Sequence, residues 1–166
     1  MSYILDIDSK PSLLDIGSGR GEWMQKCNAR GFKSTGIELD GEMVKGCRDL
    51  NLIIKEGDAL SILDEFAAES FSIVSAFHVI EHMAHENIHE ILIKAKRILK
   101  PDGFLILETP SIDSLLVSTK SFYIDPTHIT PIHPDLLAFM IKRTGLINKN
   151  IILLMVDHCK ILTLIN

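Results

Sequence analysis

Near the start of the chain, Leu13-Leu14-Asp15-Ile16-Gly17-Ser18-Gly19-Arg20-Gly21-Glu22-Trp23 sets a carboxylate two residues ahead of three alternating glycines. Glycines in that pattern let a backbone turn sharply and let a ligand approach it, while the helix start that follows offers unpaired N–H groups. Asp15, just before the turn, can accept hydrogen bonds from a cationic amine. A second acid, Glu38, lies 21 residues after Gly17, where doubly wound folds place a carboxylate to hold two ribose hydroxyls. A third element, Glu56-Gly57-Asp58-Ala59-Leu60, offers Asp58 to an exocyclic amine, with Ala59 leaving room for a ring. Taken alone, Asp58 reads more simply as a turn or helix-cap residue. All three in register describe a nucleoside site.

A nicotinamide dinucleotide is the alternative ligand. Its fingerprint is G-x-G-x-x-G, whereas here the loop is G-x-G-x-G, with Glu22 where the third glycine belongs. That spacing argues against a pyrophosphate and permits a nucleoside without phosphates.

These groups need strands and helices in alternation, and the sequence supplies them. Residues 12–16, 33–38, 52–56, 71–77 and 104–108 read as strands, the fourth (FSIVSAF) apolar on both sides as in a central parallel strand. Helices are predicted over 22–30, closed by Gly31, and over 42–50. Another carries Ile88, Ile91, Leu92, Ala95, Ile98 and Leu99 on one face and stops at Lys100-Pro101-Asp102-Gly103. A long irregular stretch, 109–134, holds four of the six prolines, and loops of such length are often functional. A helix over 135–144 then precedes two last strands, 146–156 and 160–165, joined through Asp157-His158-Cys159. The expectation is one α/β domain over 1–166: a Rossmann-like, doubly wound, mostly parallel sheet of seven strands ending in an antiparallel hairpin.

Together these motifs resemble those of class I S-adenosylmethionine-dependent methyltransferases, with D-x-G-x-G-x-G, an acid ending strand two, and G-D-A after strand three. Phe77-His78-Val79-Ile80-Glu81-His82 and Leu99-Lys100-Pro101-Asp102-Gly103 continue the likeness. The resemblance implies S-adenosyl-L-methionine as cofactor. It implies that Asp15, Gly17, Ser18, Gly19 and Gly21 hold the methionine portion, Glu38 with Leu39 the ribose, and Asp58 with Ala59 the adenine. Phe77 and His78 would line its inner side.

The segment Phe122-Tyr123-Ile124-Asp125-Pro126-Thr127-His128-Ile129-Thr130-Pro131 is similar to one in glycan-modifying bacterial methyltransferases, notably the methyltransferase domains of O-antigen chain-terminating enzymes. The resemblance implies methyl transfer to an oxygen of a glycan, a glycan phosphate or a related metabolite, in polysaccharide biosynthesis. His128, Tyr123, Asp125 and His82 are the candidate catalytic residues; histidine is a suitable base near neutrality. The competing reading of Asp125 and His128 is a loop clamp, with Asp125 capping the Pro126-Thr127 turn.

Two other functions stay open. One is a methyltransferase on a small metabolite such as a quinol precursor, since relatives of that kind carry E-x-x-E-H where this chain has His78, Glu81 and His82. The other is a non-catalytic cofactor-binding domain. About ten residues precede the first strand, where the family commonly carries covering helices, so a fragment of a longer chain is one expectation.

The remaining composition sets bounds. Hydrophobic residues make up 46% of 166 and charged residues 23%, enough for a packed core. Seventeen basic against 22 acidic residues give a net charge of -5, and no basic face points to nucleic acid. The longest apolar run, 151–156, is far short of the roughly 18 residues that span a bilayer. With no secretory leader, a cytoplasmic location is expected. Cys27, Cys47 and Cys159 form no C-x-x-C pair, and a thiol core role is expected. His78, His82, His85 and His89 could share one side of a helix, but the expected chemistry uses no metal. Oligomeric state is left open.

Overall fold

The computed structural model describes residues 11–153 and 159–165, with side chains over 11–146. Five parallel strands form the frame: β1 (Ser12–Ile16), β2 (Lys33–Glu38), β3 (Ile53–Glu56), β4 (Phe71–Phe77) and β5 (Leu99–Pro110). The sheet order is β3-β2-β1-β4-β5, continued by β7 (Cys159–Ile165) and β6 (Ile147–Leu153). β5 pairs with β7, and β7 with β6, antiparallel. This is an α/β, Rossmann-like sheet. The order reverses between β1 and β4, so their carboxyl ends open a crevice there.

The helices follow from amphipathic faces and capped starts. α1 (Glu22–Asn28) buries Met24 and Cys27, and α2 (Gly41–Asp49) buries Val44 and Cys47. Asp40 starts α2 by accepting from the N–H groups of Glu42 and Met43. α3 (Ala59–Leu63) starts at Asp58, whose carboxylate accepts from the Ser61 N–H. α4 (His85–Ile98) buries Ile88, Ile91, Leu92, Ala95 and Ile98, the face read from the sequence. With Leu14, Val74, Leu105 and Leu107 of the sheet it forms the main core.

Three sequence expectations change. Lys100-Pro101-Asp102-Gly103 ends α4 but is no separate loop: β5 begins at Leu99, with Asp102 in the left-handed region at φ 61°. The stretch 109–134 is not structureless; it holds α5 (Leu115–Thr119) and a 3₁₀ turn at Ser121–Ile124. α6 (Pro134–Arg143) follows. The four histidines share no helix face. His78 lies in a left-handed turn at φ 54°, His82 ends a 3₁₀ turn, and α4 starts only at His85. The link expected through Asp157 and His158 lies outside the described residues.

Candidate active site

Above the switch point the glycine turn and the β4 turn touch. A Cβ on Gly17, at φ +66°, would stand 2.5 Å from Val79 Cγ2. No L side chain fits there without displacing Val79, so glycine is dictated by both backbone and neighbour. Gly21, the N-cap of α1, is dictated from the other side, since its Cβ would meet Leu52 Cδ1 at 2.3 Å. Gly19 differs: a Cβ there meets nothing within 4 Å. Ser18 is buried, and its hydroxyl has no hydrogen-bond partner among the described residues. A buried hydroxyl without a partner is costly, so the turn retains an unmet polar group.

Glu38 is held in place by main chain. Its carboxylate accepts from the N–H groups of Gly19 at 2.7 Å, Leu39 at 2.8 Å and Asp40 at 3.0 Å. Three such bonds fix one orientation before any ligand arrives. Asp15 is 2% exposed and lies under the turn, where the Ser75 hydroxyl donates to it at 2.7 Å. Burial, opposed by Ser75 and reinforced by Glu38, pushes its carboxyl up to about 7. The Cys47 thiol lies below the turn and donates to the Gly19 carbonyl at 3.3 Å. Burial raises its pKa as well, and the residue is completely buried, the core place expected.

A cleft of about 530 Å³ runs from this turn toward the 3₁₀ segment. Gly17, Glu38, Leu39, Asp58, Ala59 and His78 line it, six of the residues expected at the cofactor. Asp15, Ser18, Gly19, Gly21 and Phe77 do not line it. Phe77 instead meets Trp23 edge-on at 5.4 Å on the α1 side of the sheet, so Trp23 is a packing residue. Val79, within the Phe77 to His82 motif but given no role there, and Met83 and Asn87, which no motif marked, also line the cleft.

Glu81, named above only within motifs, is the hub of this end of the cleft. It is completely buried. Its carboxylate meets His78 Nδ1 at 3.1 Å and accepts from the Thr109 hydroxyl at 3.0 Å. Its carbonyl accepts from the N–H groups of Ile129 at 2.8 Å and Thr130 at 3.0 Å. One residue thus ties the end of β4, the end of β5 and the loop beyond α5 together. The sequence signal was an acid among apolar residues at a strand end, where burial demands partners. His78 Nε2 also stands 3.0 Å from Glu108. The bond to Glu81 leads the effects that raise the His78 pKa, burial opposing.

Of the residues expected to act on the acceptor, the structure brings two together and separates two. His82 and His128 have ring centroids 4.8 Å apart. Asp125 caps the loop, accepting from the Thr127 N–H at 2.8 Å and its hydroxyl at 2.6 Å, and these bonds lower its pKa. Asp125 Oδ2 is 3.8 Å from His128 Nε2, beyond hydrogen-bond reach. Tyr123 is 67% exposed and meets Phe122 edge-on.

A crevice at the switch point, a glycine turn without room for side chains and a pre-oriented acid at the end of β2 define a nucleoside-binding α/β protein. Comparison places it further. The methyltransferase domain family matches residues 2–149, and the chain belongs to that family. An S-adenosylmethionine-dependent methyltransferase of Archaeoglobus fulgidus superposes with a TM-score of 0.87 at 24% identity, over 99% of this chain and 90% of that one. A methyltransferase of Methanosarcina mazei gives 0.80 at 16% identity, over 100% and 98%. A Haloferax volcanii complex of the Trm112 activator with a putative methyltransferase gives 0.80 at 16% identity, over 96% and 84%. Among curated proteins, none matches. The chain is therefore a methyltransferase-family protein, and several of the structures that share its fold are described as S-adenosylmethionine-dependent methyltransferases. The cleft, the open side of Gly19 and the fixed Glu38 fit that cofactor.

Proposed function

We propose that the chain methylates an oxygen of a glycan, a glycan phosphate or a related metabolite, placed where His82 and His128 meet. The observation that carries this reading is the orientation of the two rings. His128 Nδ1 is 2.8 Å from the Phe122 carbonyl, and His82 Nδ1 is 3.2 Å from the Thr127 carbonyl. A carbonyl only accepts, so each Nδ1 is a donor, and in the neutral ring each Nε2 carries the lone pair. Two lone pairs beside the cleft suit an acceptor oxygen that must be held and relieved of a proton.

S-adenosylmethionine supplies a methyl already activated by positive sulfur. The protein's part is to align and to exclude water. Glu38 and Leu39 would hold the ribose, and Asp58 with Ala59 the adenine. Asp15 would act from below the glycine turn, as an acceptor for the methionine amine. Asp125 holds Thr127, and Thr127 holds His82 through its hydroxyl at 2.9 Å, so Asp125 acts as a positioning residue. Tyr123, exposed at the rim, would contact the acceptor.

A second reading, a quinol-type metabolite, has its own observation. Tyr123, Ile124 and Ile129 expose 67%, 68% and 63% of their surface around the same loop, an apolar rim that suits a hydrophobic acceptor. Methyl transfer from labelled S-adenosylmethionine to mannose-type glycans, their phosphates and catechol-type quinol analogues separates the readings. Product from the glycans or glycan phosphates supports the first. Product only from the quinol analogues replaces it with the second.

A further inference from the structure

We propose that Glu81, His82 and His128 form a binding site for a divalent transition-metal ion of the zinc class. One ligand atom from each lies within 4.8 Å of the others, and the group is buried to half-buried at the edge of the cleft. Two imidazoles and a carboxylate are a common ligand set for such ions when a fourth position stays open.

The surroundings of the ligands are the stronger argument. Metal-binding histidines donate their second ring N–H to a carbonyl or carboxylate, which fixes the tautomer and the ring. Both histidines do so here, to the carbonyls of Phe122 and Thr127. Asp125 continues the chain by holding the Thr127 hydroxyl, which in turn lies 2.9 Å from His82 Nδ1. Glu81 is held likewise by Thr109 and His78, using two of about four acceptor positions on its carboxylate. With both Nδ1 atoms committed to carbonyls, the neutral rings leave each Nε2 as the acceptor in a cluster that also holds the buried Glu81 carboxylate. A cation is the partner that meets all three.

Bonds of about 2 Å in a tetrahedral site set ligand atoms roughly 3.3 Å apart, so the widest pair, within 4.8 Å here, must close by about 1.5 Å. His128 sits on the 125–129 loop, most of whose residues are exposed, and a shift of the 122–129 segment would bring the ring closer with its bond to the Phe122 carbonyl kept. The inference deepens the reading of the acceptor site. An acceptor oxygen taking the open position would lose its proton to solvent through the metal, then attack the methyl carbon while the carbon–sulfur bond breaks to leave a neutral thioether.

The test is titration of the chelator-stripped full chain with Zn²⁺ by calorimetry and with Co²⁺ by visible absorption, without acceptor or turnover. One equivalent should bind, with the intense visible bands of low-coordinate cobalt. His128→Ala and His82→Ala should each weaken binding at least tenfold while retaining S-adenosylmethionine binding and the circular-dichroism spectrum. Exposed His85 and half-buried His89, one turn apart on α4, are the alternative chelator, so His85→Ala/His89→Ala should bind as the wild type does. No binding, or binding lost with His85 and His89 and kept without His82 and His128, overturns the site. Metal binding without methyl transfer to any glycan would leave the site standing and overturn only the proposed acceptor.

Discussion

The two halves of the cleft are built by different means. On the side proposed for the cofactor the main chain does the shaping: Gly17 lies against Val79, and the Glu38 carboxylate is fixed by the N–H groups of Gly19, Leu39 and Asp40. On the side proposed for the acceptor, buried Glu81 ties the elements together, its carboxylate to His78 and Thr109 and its carbonyl to the N–H groups of Ile129 and Thr130. A backbone-built site can be rigid with few contacts, because its conformation is imposed locally. A side-chain-built site depends on every partner across long sequence separation, and it can be retuned by single substitutions. That contrast predicts that binding and turnover fail separately.

The largest expected effect breaks the acceptor half. His128→Ala should lower kcat by about 10²-fold or more, with S-adenosylmethionine affinity unchanged, as read by single-turnover assay beside calorimetry. Loss of both together would mean that the two halves are one unit and the contrast is false.

The complementary break is Gly17→Ala. Its Cβ would overlap Val79 in a left-handed backbone, so cofactor affinity should fall at least tenfold, about 1.4 kcal/mol. Gly31 is the control: at φ +88° it has open space around it. Gly31→Ala should therefore cost only backbone strain, about 1–2 kcal/mol, seen in the melting temperature and not in cofactor binding.

The same contrast explains what was legible in the sequence. β1, β2 and β4 occupy the expected residues because apolar runs bounded by glycine or acid carry their own limits. The place of Glu38 on the cleft was legible because its distance from the glycines puts it at the end of β2. Gly21 was legible as a glycine but not as a packing residue, because Leu52 reaches it from 31 residues away. Glu81 was missed as a hub, since Thr109 and Ile129 come near it only through tertiary packing. α5 was missed because its five residues are too few to show a helical period.

A smaller effect sharpens the cofactor half. Buried Asp15 is pushed up to about 7 from an ordinary 3.8. With the folded pKa above the unfolded one, its favourable contribution is full below about pH 4 and is lost as pH rises through about 7. Asp15→Asn cannot ionise, so its stability relative to wild type should grow across that window and level off above it. Cofactor affinity should run the other way. An ionised Asp15 favours a cationic amine, so wild-type binding should tighten through pH 7 while Asp15→Asn stays flat. A flat wild-type profile would remove Asp15 from the binding map.

The smallest effect is the most discriminating about Asp58, which has two candidate tasks. Its carboxylate caps α3 at the Ser61 N–H, 3.1 Å away, and the same residue lines the cleft. Asp58→Ala removes both and should cost about 1 kcal/mol of stability through the cap alone. Asp58→Ser restores a capping oxygen on a shorter side chain that cannot extend as far into the cleft. If the carboxylate meets adenine, the serine variant should melt like the wild type yet bind S-adenosylmethionine as weakly as the alanine variant. If capping is its whole task, affinity should return with stability. In that event the adenine end of the cleft, like the acceptor end, would be shaped by side chains acting on other elements.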